Sequence, residues 1–256
     1  MTDEQKFLFD LKGWLLLPAV LSDGELEAVK AHLLAGGDGW TGPAQALLDH
    51  PAIVDILNDI LSERPPAEDY HNFRCESSFV TIRKAGWEPG STQVPHVVRP
   101  VQGAGPMNYQ CNGGRIYSAL TRVVWELNPV EQGSGGTLFL SGSHKANFPY
   151  PPSIREPDNP MMESYACPAG SVFLFTESLL HAATAWKDAS VDRDAIFTAY
   201  NSIWAQWHRL NLSDEIIASM PPQRQSLFRG VYAHDFTARP HEAGDNRYYS
   251  ALSRAL

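Results

Sequence analysis

Cysteine is scarce in this chain. There are three, Cys75, Cys111 and Cys167, and none forms a Cys-X-X-Cys pair. That argues against a zinc ribbon and suits free thiols in a reducing compartment. Basic residues are also short: 20 Lys and Arg stand against 29 Asp and Glu, a net charge of −9. Such a balance disfavours non-specific binding to nucleic acid or to an anionic membrane surface. No apolar run approaches the ~18 residues that span a bilayer, and the first ten residues, MTDEQKFLFD, have no basic stretch leading into an apolar one, so no signal peptide is expected. Internal repeats, low-complexity tracts and linkers are missing too. The expectation is a soluble, cytoplasmic protein in which residues 1–256 form one domain: a mainly helical flank over 1–70, a barrel over 71–205, and C-terminal helices and tail over 206–256.

What is present has two textures. Near the N-terminus, "WLLL" (14–17) is a short apolar strand closed by Pro18. "SDGE" (22–25) is a capping-box pattern that opens a helix carrying Leu26, Val29 and Leu33 on one face. Pro51 begins a second helix with Ile53, Ile56, Leu57 and Ile60 at helical spacing. From residue 77 the pattern becomes β-rich: SSFVTIRK (77–84), RIYSALTRVVWELNPV (115–130), TLFLSGSH (137–144), SVFLF (171–175) and AIFTAYNSIW (195–204). "GSGG", "PYPP" and "PAG" mark turns between them. Short strands following a helical part predict a mainly β fold, a double-stranded β-helix or jelly-roll barrel with flanking N-terminal helices. Two segments, 85–114 and 145–162, are longer than a barrel needs and read as pocket-forming loops. Their aromatics, Trp87, Tyr109, Phe148 and Tyr150, would suit a partly apolar substrate or loop packing.

Three residues carry a chemical reading. His96 follows the first strong β segment, His181 follows the apolar run 172–175, and Arg193 opens the next strand 12 residues after His181. A double-stranded β-helix sets early and late strands side by side, so two neutral imidazoles can meet at one mouth and bind a divalent transition metal. Two histidines and a carboxylate are the ligand set of non-haem iron(II) oxygenases. An arginine one strand away suits a planar carboxylate. Spacing alone leaves a core role for either histidine equally open, since the chain has nine.

The stretch NGGRIYSALTRVVWELNPVEQGSGGTLFLSGSHKANFPYP (112–151), the segments GSVFLFTESLLHAATAW (170–186) and DRDAIFTAY (192–200), and FDLKGWLLLPAVLSDGELEAVKAHL (9–33) together resemble the phytanoyl-CoA dioxygenase family over most of residues 7–205. The likeness is diffuse in the helices and most specific over 133–193. It implies a double-stranded β-helix using Fe(II), 2-oxoglutarate and O₂ to oxidise a small-molecule C–H bond, most simply by hydroxylation. Residue by residue it implies His96 and His181 as iron ligands and Arg193 as the 2-oxoglutarate clamp. His144, in "SGSHK", matches a loop motif that fixes a turn.

The pattern breaks at one point. The family's first ligand lies in a His-X-Asp motif, and here the residues are His96-Val97-Val98. An isopropyl group has no lone pair. Three readings stand: a carboxylate arrives from elsewhere, two histidines suffice, or the iron site is altered and the barrel serves as a binding module. For the first, Ser118, Leu120, Arg122, Val124 and Glu126 alternate onto one strand face, which makes Glu126 the candidate third ligand unless it pairs with Arg122.

Overall fold

The computed structural model describes residues 1–62, 64–90, 94–97, 108–154, 156, 158–210 and 212–231. Val98, much of the loop 85–114 and most of the C-terminal tail lie outside the described residues.

The N-terminal layer is helical. α1 (Asp3–Lys12) and α2 (Asp23–Leu34) each begin with a complete capping box, Thr2 with Gln5 and Ser22 with Glu25. These side chains satisfy amide donors that a helix start leaves without partners. A 3₁₀ segment (Gly42–Asp49) leads into α3 (Pro51–Leu61), whose Ile53, Ile56, Leu57, Ile60 and Leu61 are all buried. Two short helices, α4 (Asp214–Ala218) and α5 (Pro222–Gln225), follow the barrel. Among the described residues no helix is long and apolar enough to cross a membrane.

The principal sheet contains β1 (Trp14–Leu17), β2 (Phe73–Arg83), β5 (Thr121–Glu126), β7 (Ser171–Thr176) and β9 (Arg193–Ser202), in the antiparallel order β1-β7-β5-β9-β2. A second pair, β6 (Gly136–Leu140) with β8 (Leu180–Thr184), faces it. A small hairpin joins β3 (Gln110–Asn112) to β4 (Arg115–Tyr117). The long strand expected over 115–130 is therefore two strands. Ala119 sits between them at φ 59°, a left-handed conformation that interrupts pairing.

Alternation on the principal sheet sorts its residues into two cores. Val123, Trp125, Leu127, Val172, Leu174, Ile196 and Tyr200 pack against α1–α3. Val124, Phe173, Phe175 and Phe197 point the other way, where Phe139 of β6 and Tyr165 meet them. The result is helices, principal sheet and minor sheet in three layers, the double-stranded β-helix expected from the sequence. Gly135 and Gly136, at φ 131° and 103°, form the turn into β6. A Cβ on Gly135 would stand 2.5 Å from the Ala185 carbonyl oxygen, so this close approach of β6 to the end of β8 requires glycine.

Candidate metal centre

Backbone pairing brings the two candidate histidines together. His96 N–H donates to the His181 carbonyl (2.9 Å) and His181 N–H donates to the His96 carbonyl (3.0 Å). Residues that exchange both bonds lie directly opposite with side chains on one face, and the two ring centroids are 4.3 Å apart. His181 is the second residue of β8, opposite Phe139. Phe175 packs against its ring at 4.9 Å.

Each imidazole has its tautomer fixed by the chain. His96 Nδ1 lies 2.8 Å from the Val94 carbonyl, and His181 Nδ1 lies 2.8 Å from the Leu179 carbonyl. A carbonyl only accepts, so both Nδ1 atoms carry the proton and both Nε2 atoms are left to accept or ligate.

The third member of the cluster is Glu177. His96, Glu177 and His181 each offer a ligand atom, and these atoms lie within 4.8 Å of one another. Glu177 follows β7 in the tight turn to β8, where its N–H donates to the Leu120 carbonyl (2.8 Å). Ser143 Oγ accepts from Leu180 N–H (2.8 Å) and secures the start of β8. Glu177 Oε1 accepts from Arg122 Nε (2.7 Å), while Oε2 lies 3.2 Å from His181 Nε2. Burial favours the neutral acid, but the charge and hydrogen bond of Arg122 outweigh it and hold the carboxyl well below the usual carboxylate range. His96 is shifted down by burial and by His181 beside it, which favours the neutral imidazole a metal needs.

This donor set tests whether a metal fits. His181 presents a lone pair at Nε2 to an ionised oxygen 3.2 Å away. Two acceptors at that distance repel unless a proton or a cation lies between them. Two nitrogen donors and one carboxylate oxygen around the same point suit a divalent transition metal.

Glu126, the third ligand expected from the sequence, is not part of this cluster. It lies four residues beyond Arg122 on β5, about 13 Å along the strand, and is fully buried. There it accepts from Arg193 Nε (3.1 Å) and Nη2 (2.5 Å) and from the Tyr165 hydroxyl. An uncompensated carboxylate cannot be held in such a place, and Arg193 supplies the charge. The pairing weighed in the sequence is likewise exchanged: Arg122 bonds Glu177, not Glu126. Arg193, 1% exposed, uses its Nε–Nη2 edge on Glu126. Nη2 also reaches Tyr165 (3.1 Å) and Thr137 Oγ1 (3.4 Å), and buried Nη1 has no hydrogen-bond partner among the described residues.

His144 stands apart from the cluster, buried in a 3₁₀ turn, with Nε2 3.1 Å from the Asp10 carbonyl. Three of the four loop aromatics make structural contacts. Trp87 lies over Arg83, Tyr109 donates to Asp10, and Tyr150 donates to the Ser143 carbonyl. Phe148 is exposed, beside Met161 on the rim of a cavity of about 350 Å³.

No curated protein sequence matches the chain. HygX from Streptomyces hygroscopicus, solved with nickel and 2-oxoglutarate bound, superposes with a TM-score of 0.64 at 20% identity, covering 80% of this chain and 89% of that one. The non-haem α-ketoglutarate-dependent carbocyclase SnoK from nogalamycin biosynthesis gives 0.54 at 18% identity, over 86% and 92%. The non-haem monooxygenase ThoJ, as a nickel complex, gives 0.54 at 16% identity, over 98% and 96%. At these identities the likeness is one of fold. The family model for phytanoyl-CoA dioxygenase matches residues 43–193, a span holding both histidines, Glu177 and Arg193, and the chain belongs to that family of Fe(II)- and 2-oxoglutarate-dependent oxygenases.

Proposed function

We propose that the protein oxidises an unactivated C–H bond of a small molecule, most simply by hydroxylation, at an iron held by His96, Glu177 and His181. The observation that carries this reading is the pair of Nδ1–carbonyl bonds, which turn both Nε2 lone pairs toward one carboxylate. Iron(II), bound with 2-oxoglutarate, supplies the O₂ activation and oxidising power that no side chain possesses.

The chain's own residues do the rest. His96 and His181 are pre-oriented, so ligation costs them no tautomer change. Arg122 holds one Glu177 oxygen and leaves the other for the metal, which takes the place of the carboxylate missing after His96. Arg193, fixed by Glu126 and Tyr165, has an Nη1 without a hydrogen-bond partner among the described residues and would meet the distal carboxylate of 2-oxoglutarate. Thr137, which Arg193 reaches, is two residues along β6 from Phe139, the partner of His181. Thr137 in turn pairs with Ala183, two residues from His181, which supports a co-substrate reaching from the histidines to the arginine.

Anaerobic titration with Fe(II) and 2-oxoglutarate tests the reading. A weak visible charge-transfer band is expected in the wild type and lost in Glu177→Gln. A wild type that binds neither metal nor co-substrate would leave the barrel as a binding module.

A further inference from the structure

We infer that Arg83 is a second co-substrate arginine, forming with Arg193 a cradle for one carboxylate group; this rests on the functional reading above. Arg83 ends β2 directly opposite Arg193 on β9. It is 6% exposed, its guanidinium lies over the Trp87 ring at 4.1 Å, and its Nη1 donates to the Gly136 carbonyl at 3.3 Å. No carboxylate lies within ion-pair distance of it among the described residues, and its buried Nε has no hydrogen-bond partner.

Charge balance makes the case. Two guanidiniums and one carboxylate, that of Glu126, are buried together, which leaves one positive charge uncompensated. Burial and the neighbouring Arg193 lower the Arg83 pKa to about 10, so it still carries its proton near neutrality. An unpaired buried cation is costly unless an anion joins it. The two unbonded nitrogens, Arg83 Nε and Arg193 Nη1, belong to directly paired residues. Both are shielded from bulk water, and Arg193 lies over Phe197 (5.4 Å), which stacks on the exposed Phe79 (5.1 Å). One carboxylate would restore balance, and a keto acid bearing a second carboxylate at its far end supplies it.

The test compares two keto acids on nickel-loaded protein by calorimetry. 2-Oxoglutarate carries the distal carboxylate; 2-oxopentanoate has a methyl there. The wild type should prefer 2-oxoglutarate by about 100-fold or more. Arg83→Met and Arg83→Gln should each lose about 10-fold or more of that preference, with nickel and 2-oxopentanoate affinity unchanged. A merely structural role would weaken both ligands alike. A full preference retained in both variants overturns the inference and leaves the functional reading standing. A wild type that binds nickel but not 2-oxoglutarate overturns both.

Discussion

Two clusters in this molecule are built from the same three groups at the same distances. In the helical layer, Asp49 Oδ2 lies 3.2 Å from His71 Nε2, and Asp49 Oδ1 accepts from Arg224 Nε at 2.7 Å. At the barrel mouth, Glu177 Oε2 lies 3.2 Å from His181 Nε2, and Oε1 accepts from Arg122 Nε at 2.7 Å. In both, the carboxyl is held below its usual range, with the arginine beside it working against burial. The difference is one residue: a second imidazole, His96, faces the carboxylate at the mouth. The first cluster braces the 3₁₀ segment, the start of β2 and α5 together. The second, with one more nitrogen donor, becomes a candidate ligand set. A carboxylate–histidine–arginine motif is therefore not a site until a further donor converges on it.

The sharpest way to break this comparison is to remove a barrel-mouth ligand. His181→Ala and Glu177→Gln should each lower Fe(II) or Ni(II) affinity by more than about 100-fold while the metal-free protein stays folded, read by metal titration and circular dichroism. Glu126→Gln should leave metal affinity within a few-fold. Loss of metal on Glu126→Gln with none on Glu177→Gln would move the ligand back to Glu126. Next in size, Arg122→Met should weaken metal binding by about 10–100-fold, the usual range for a residue that orients a ligand.

The helical cluster should respond in stability alone. Asp49→Ala should cost about 2–3 kcal/mol in denaturant unfolding, since it leaves Arg224 and His71 without their charged acceptor. Metal affinity should not change. The smallest effect is its pH dependence. Because the folded pKa of Asp49 is depressed, its stabilisation is fully present above the unfolded value near 4 and fades as pH falls through the lower folded value. Asp49→Asn should flatten the unfolding midpoint below about pH 4 and leave its slope at neutral pH untouched.

Much of the fold could be read from residue pattern. The Ser22 capping box, the apolar stripe of α3 and the runs at β1, β7 and β9 all appear where periodicity puts them. The same rule applied to Thr2 and Gln5 would have given α1. β8 was hidden because LHAAT is rich in alanine, a weak strand former, and its pairing with β6 is tertiary. Glu177 was missed for a related reason. Alternation relates residues two apart on a strand, whereas Glu177 and His181 are four apart across a turn that folds the chain back. Glu126 shares a face of β5 with Arg122 and Val124, as alternation predicts. Depth along the strand, which separates Arg122 from Glu126, is not written in alternation.

The order β1-β7-β5-β9-β2 has one more consequence, for how the chain acquires its shape. None of these neighbours are consecutive in the sequence. β1 pairs with residues 172–175, and β2 with 193–202. No hairpin can seed the principal sheet, and even its shortest closure, Glu126 of β5 with Ser171 of β7, must close a loop of about 45 residues before it is rewarded. A ribosome must have released residue 202 before the sheet is complete. Until then β5 and β2 lack their shared partner β9, and slow refolding with a transient, aggregation-prone intermediate is the expected kinetic signature.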